Sequence, residues 1–233
     1  MNMNQRAVLL LILIAVIIGS LGLAGVFHRH HPAPNPPEVN TPTVTFAIDP
    51  GHGGRDPGGV VGDVLEKNVN LAIAEKLAAL VNEQPGLKPF LTRSSDVTVK
   101  NLDRLKSAEE AGAVLYLSIH TNSYTDPNVH GAETLVDDTR PKSDPSWLLA
   151  EAVQKALVAA TGARDRGVRS QSLYLEHTKL PAVSVEVGFL TATDEGAKLL
   201  DPAYQDKIAH GLLNGIIAHL KETGALPNQN NSS

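Results

Sequence analysis

Three short stretches constrain this chain more than anything else in it: Thr43–Ile48, Val114–Ile119 and Ala182–Val187 are nearly continuous apolar runs. A strand with one face in water alternates apolar and polar residues. A continuous run belongs to a strand covered on both faces, as in a largely parallel sheet. Pro89–Thr92 and Glu133–Val136 are two further strand candidates. Between them Leu71, Ala74, Leu77, Ala78 and Val81 recur at helical spacing, and Trp147–Val158 and Ile208–Leu220 repeat the period. Asp201-Pro202 supplies an N-cap and a first-turn proline for the last helix. The pattern predicts one α/β domain with helices on both sheet faces, no internal repeat and no second domain. Ligands of such sheets bind in the crevice beyond the carboxyl ends of the strands, so chemistry is sought there.

The 233-residue chain opens with an apolar run, Ala7 to Phe27, long enough to cross the ~30 Å hydrocarbon core of a membrane as a helix. Gly22-Leu23-Ala24 resembles a small-residue cleavage site, but the run exceeds the usual signal-peptide core, which favours an uncleaved anchor. From His28 to Thr43 the chain is rich in Pro and His and reads as an extended spacer, its histidines lacking a rigid frame for a metal. The expected organisation is therefore a membrane anchor or signal peptide over 1–27, a linker over 28–43, a folded domain over 44–222 and a flexible tail over 223–233. A net charge of -5 and the lack of any Lys/Arg run exclude the electrostatic footprint of a nucleic-acid binder. There is no cysteine, which removes disulfides, thiolate ligands and a Cys nucleophile together. Any metal must be held by His and carboxylates.

Four residues carry the chemistry. His52 sits in the glycine-rich loop Asp49–Gly59, directly after the first strand; the loop lacks the Lys-Ser/Thr of a P-loop and the spacing of a dinucleotide site. His120 ends the third strand candidate, again at a carboxyl end. Glu66 stands where the first helical pattern begins, a place where a carboxylate also complements the helix dipole. Alone, each has an ordinary structural explanation. Together, two histidines at equivalent strand ends beside a glutamate make a catalytic zinc set, three protein ligands leaving a fourth position for water. Glu186 lies inside the apolar run Ala182–Leu190, where a carboxylate costs several kcal/mol unless paired, metal-linked or protonated. It is either a buried ion pair with Arg or Lys or the general base for a metal-bound water. His130 and His177 read as solvated loop residues, and Arg93 and Arg104 either face an anionic substrate or form structural ion pairs.

These residues sit in a wider pattern. Asp49-Pro50-Gly51-His52-Gly53-Gly54, Glu66-Lys67, Thr92-Arg93 with Asp96, Ser118–Ser123, Gly131-Ala132-Glu133-Thr134 and Val185–Phe189 resemble, in order, the motifs of the type-3 zinc N-acetylmuramoyl-L-alanine amidases. The resemblance spans about Val44 to Leu220. It implies zinc on His52, Glu66 and His120, Glu186 as the catalytic glutamate, and a mixed, mostly parallel sheet of about six strands. It also implies peptidoglycan as substrate, cleaved between muramic acid and L-alanine outside the cytoplasmic membrane. The ligand set does not encode which amide is attacked, so another zinc peptidase of the wall, or a non-catalytic wall-binding protein, are the alternatives. Some division-associated relatives insert a helix over the zinc site. Here the stretch from Asp137 to Ser146 is short and holds two prolines, so no blocking helix and no obligatory activator are expected.

Overall fold

The computed structural model describes residues 43–226. The apolar run expected to be an anchor or signal peptide, and all of the linker but Thr43, lie outside the described residues. Among those residues no helix is long and apolar enough to cross a membrane.

The expected strands are present, each shifted by a few residues. β1 (Val44–Pro50), β4 (Leu87–Leu91), β5 (Tyr116–Asn122), β6 (Ala132–Asp137), β7 (Asp165–Gln171) and β8 (Ala182–Phe189) form one sheet in the order β4-β1-β5-β8-β6-β7, while β2 (Val60–Val61) and β3 (Val64–Leu65) form a small hairpin. The first four in that order run parallel; β6 is antiparallel to β8, and β7 is parallel to β6. The sheet is therefore mixed and mostly parallel. Two expectations change. β5 continues past Ile119, so His120 lies within the strand and not after it. Asp165–Gln171, which is not among the five strand candidates, is β7, an edge strand whose sequence Asp-Arg-Gly-Val-Arg-Ser-Gln carries no apolar pattern and is rich in charged and polar residues, as exposed edges commonly are. Pro89 is tolerated in β4 because that strand is the opposite edge.

Helices cover the two faces unequally. α1 (Glu66–Asn82), α3 (Pro145–Thr161) and α5 (Pro202–Glu222) bury one face, where Phe46, Ile48, Leu117, Ile119, Val183 and Val185 meet Ile73, Leu77, Val153 and Leu212 in the main core. The other face carries only α2 (Asn101–Glu110) and a 3-10 turn, Tyr174–His177, over Ala47, Tyr116 and Ala182. The short helix α4 (Thr193–Leu199) follows β8. Asp144 and Asp201 cap α3 and α5 by accepting from the N–H groups of Ser146 and Ala203, each with a proline at the start of the helix.

α3 and α5 pack unusually close. Gly215 has no room for a side chain: a Cβ there would lie 2.5 Å from Val153 Cα and 3.0 Å from the Ala152 carbonyl oxygen. Helix propensity alone predicts that Gly215→Ala stabilises by about 1 kcal/mol. The packing predicts the reverse, a loss of about 1–3 kcal/mol from overpacking. A thermal melt should then show Tm lower by about 2–4 °C per kcal/mol lost.

Candidate active site

The sparsely covered face carries the site. His120, Glu186 and Glu133 stand level on β5, β8 and β6, since Glu186 is the register partner of both His120 and Glu133. In-register neighbours on adjacent strands project from the same face, about 4.8 Å apart. β1 ends beside this row and hands the chain to the glycine-rich loop, while α1 begins at the same end of the sheet.

Two buried arginines shape that loop. Arg104 pairs with the buried carboxylate of Asp49 at 2.7 Å and donates to the carbonyls of Pro50 at 2.8 Å, Val99 at 3.0 Å and His52 at 2.5 Å. Arg93 donates to the carbonyls of Pro50 at 2.8 Å, Gly51 at 2.9 Å and Lys67 at 2.8 Å. The ion-pair reading holds for Arg104, while Arg93 is buried against backbone carbonyls and makes no ion pair among the described residues. Asp49 also accepts from Thr92, from Ser118 Oγ at 2.7 Å and from Tyr174 Oη at 2.9 Å. Burial alone would raise its pKa, but Arg104 and these hydroxyls hold it below the usual carboxylate range. Tied by its carbonyl, His52 adopts φ 61°, a left-handed conformation uncommon outside glycine. Gly51 is required for a different reason: a Cβ there would sit 2.2 Å from the His120 ring.

The loop brings His52 to Glu66 and His120. Glu66 Oε1 lies 3.3 Å from His52 Nε2 and 3.0 Å from His120 Nδ1, and the two rings meet edge to face with centroids 4.9 Å apart. One candidate ligand atom from each residue lies within 4.8 Å of the others. Ligand atoms bound at 2.0–2.1 Å around a tetrahedral ion are about 3.3 Å apart, so the spacing suits zinc. The supporting shell fits as well. His52 Nδ1 donates to Asp56 Oδ2 at 2.7 Å, which leaves Nε2 as the nitrogen directed at the site. Glu66 Oε2 accepts from the Gly59 N–H at 2.7 Å, and Oε1 from Asn70 Nδ2 at 3.1 Å and the Thr121 N–H at 3.2 Å. Burial would push the Glu66 carboxyl up, but the imidazoles and these donors hold it well below its ordinary value, ionised as a metal ligand must be.

Among the described residues Glu186 has no Arg or Lys partner, which removes the ion-pair reading. Burial pushes its carboxyl up to about 7, with His120 opposing and Glu66 and Glu133 reinforcing. His130 and His177 are exposed, as expected of loop residues, and His130 hydrogen-bonds the Asn128 carbonyl. The sequence reading missed Asp56, Asn70 and Asp49. Two had a signal: Asp56 stands four residues after His52, and Asn70 one helical turn after Glu66.

A sequence profile for the N-acetylmuramoyl-L-alanine amidases matches residues 46–218. The chain belongs to this family. It is 37% identical over 187 residues to the N-acetylmuramoyl-L-alanine amidase LytC of Bacillus subtilis, a match that covers 79% of this chain but 37% of that relative. The crystal structure of an N-acetylmuramoyl-L-alanine amidase from Clostridium difficile 630 superposes with a TM-score of 0.74 at 34% identity, covering 78% of this chain and 99% of that one. The CwlD amidase of Clostridioides difficile, solved in complex with the GerS lipoprotein, gives 0.69 at 30% identity and covers 77% of this chain and 100% of that one.

The buried pair beneath the loop makes a stability prediction. Asp49→Asn leaves the Arg104 guanidinium without its counter-charge and should destabilise the protein by about 3–5 kcal/mol near neutral pH in denaturant titrations. The folded pKa of Asp49 is depressed, so its contribution is complete above the unfolded value of about 3.9 and is lost as pH falls through the folded one. The gap between parent and variant should therefore close in acid.

Proposed function

We propose that the chain is a zinc amidase that hydrolyses the amide between the lactyl group of N-acetylmuramic acid and the L-alanine that starts the peptide stem. One observation carries this reading: His52, Glu66 and His120 converge as a ligand set, with Glu186 on the neighbouring strand, level with His120 and free of any cationic side-chain partner among the described residues. A zinc ion held by that set would supply a Lewis acid for the carbonyl and lower the pKa of water toward ~7. The remaining work falls to the chain. Glu186, which burial pushes up to about 7, takes the proton of the attacking water and returns it to the departing amine nitrogen, since an amide nitrogen must be protonated to leave. Asp56 holds the His52 ring in one tautomer, and Gly59, Asn70 and Thr121 fix the Glu66 carboxylate.

The same reading places the folded domain at 44–222 and the enzyme outside the cytoplasmic membrane, where its substrate lies, held there by residues 1–27 through the Pro/His-rich linker. It also takes the site to be open without an activator. The support is local: the connection between Asp137 and Pro145 contains no helix among the described residues, and the row of His120, Glu186 and Glu133 lies beyond the part of its face that α2 and the 3-10 turn cover.

Chelation should abolish release of peptide from purified peptidoglycan, and added zinc should restore it with no other protein present. Glu186→Gln should lower kcat by about 10²–10⁴. Mass spectrometry of the digest should find intact stems with a free L-alanine amino terminus; fragments cut within the stem would identify a peptidase instead.

A further inference from the structure

One ionic cluster at the same end of the sheet is unused by this mechanism. Ala132 pairs with Asp165 and Thr134 with Val168, so Arg166 and Gly167 together face Glu133 across a bulge, Gly167 with φ 79°. In a regular strand Arg166 and Arg169, three residues apart, would project from opposite faces. The extra residue brings both to the face of Glu186, as bulges beside active sites commonly re-aim side chains. Arg166 Nε lies 2.9 Å and Arg169 Nε 3.5 Å from Glu133 Oε2, while Asn122 Nδ2 donates to Oε1 at 3.3 Å. Two guanidinium groups thus share one buried carboxylate, a local surplus of positive charge on a chain of net charge -5.

Arg166 is held ready for a ligand. Its guanidinium carbon lies 4.9 Å from the centroid of the Phe189 ring, and Glu133 occupies Nε. Its two terminal nitrogens have no hydrogen-bond partner among the described residues, and the side chain lines a cleft of about 360 Å³ with Asn122, Tyr124, Val129, Glu133 and Phe189. The cleft opens beside Glu186: its wall includes Glu133, the register partner of Glu186 on β6, and Asn122, two residues beyond His120 on β5. Two strand spacings separate β8 from β7, about 10 Å, the reach of roughly three residues of extended peptide.

We propose that Arg166, supported by Arg169, is a specificity subsite for a carboxylate on the first three residues of the departing peptide stem, a claim that rests on the amidase reading. A pair of guanidinium donors matches a carboxylate and is poorly matched by a carboxamide.

The test uses the full-length protein loaded with zinc and two substrates, a muramyl tripeptide with its carboxylates free and the same compound with them amidated. The parent should favour the free form in kcat/KM by about tenfold or more, the effect of charge-assisted hydrogen bonds. Arg166→Gln should bring the ratio to within about twofold of unity, and Arg169→Gln should reduce it partly. A ratio is insensitive to the fraction of variant that folds. A parent without preference, or an Arg166→Gln variant that keeps it, overturns the subsite. Failure of the parent to cut either compound overturns the amidase reading, and the subsite with it.

Discussion

One carboxylate oxygen, Glu66 Oε1, stands within 3.3 Å of an imidazole from the loop after β1 and within 3.0 Å of another from β5. Two imidazole nitrogens and a carboxylate oxygen at this spacing draw positive charge between them, protons on the rings or a metal ion in their place. Much of the surrounding structure can be understood as the means of bringing these three atoms together and keeping them there. α1 starts at Glu66 without a side-chain cap, and its first residue serves the site instead. Glycines are placed where any side chain would strike the site: at Gly58 a Cβ would lie 2.6 Å from both Glu66 Oε2 and the His52 ring. Beneath the loop, Arg93 and Arg104 take up six carbonyls between them, from Pro50, Gly51, His52, Lys67, Ser95 and Val99, so an irregular, partly left-handed segment is packed with these polar groups satisfied.

The unequal covering of the sheet explains where the site could form. Three helices and the main core occupy one face, which sets the strands and their register. The other face is covered at one end only, so its remaining part can display polar groups from three adjacent strands without burying them completely. Glu186 belongs to this arrangement. Its neighbours Val185 and Val187 point into the main core while its own side chain points to the opposite face, half-buried. The apolar surroundings seen in the sequence are real, but they belong to the other side of the strand.

Much of this was legible in the chain. Continuous apolar runs marked the buried strands because both their faces are covered; the two histidines were singled out because strand ends in such sheets converge, Glu66 because it begins a helix, and Glu186 because a carboxylate interrupts an apolar run. β7 was not legible, since an edge strand with a bulge and charged residues follows no apolar period. Nor were the roles of Asp49, Arg93 and Arg104. A buried ion pair and an exposed one use the same residue types, and only the fold reveals that these side chains are buried beneath the loop. Asp56 and Asn70 were within reach, because supporting partners of ligands often lie at i+4 on a turn or helix.

The central claim is that His52, Glu66 and His120, and no other residues, hold one catalytic metal while Glu186 acts on protons beside it. Metal content per chain, measured by inductively coupled plasma mass spectrometry on the parent and on His52→Ala, Glu66→Ala, His120→Ala and Glu186→Gln, tests it most directly. The account predicts one zinc per chain in the parent and in Glu186→Gln, and little or none in the other three. Zinc retained at full occupancy after loss of any of the three ligands, or lost with Glu186→Gln, would contradict it.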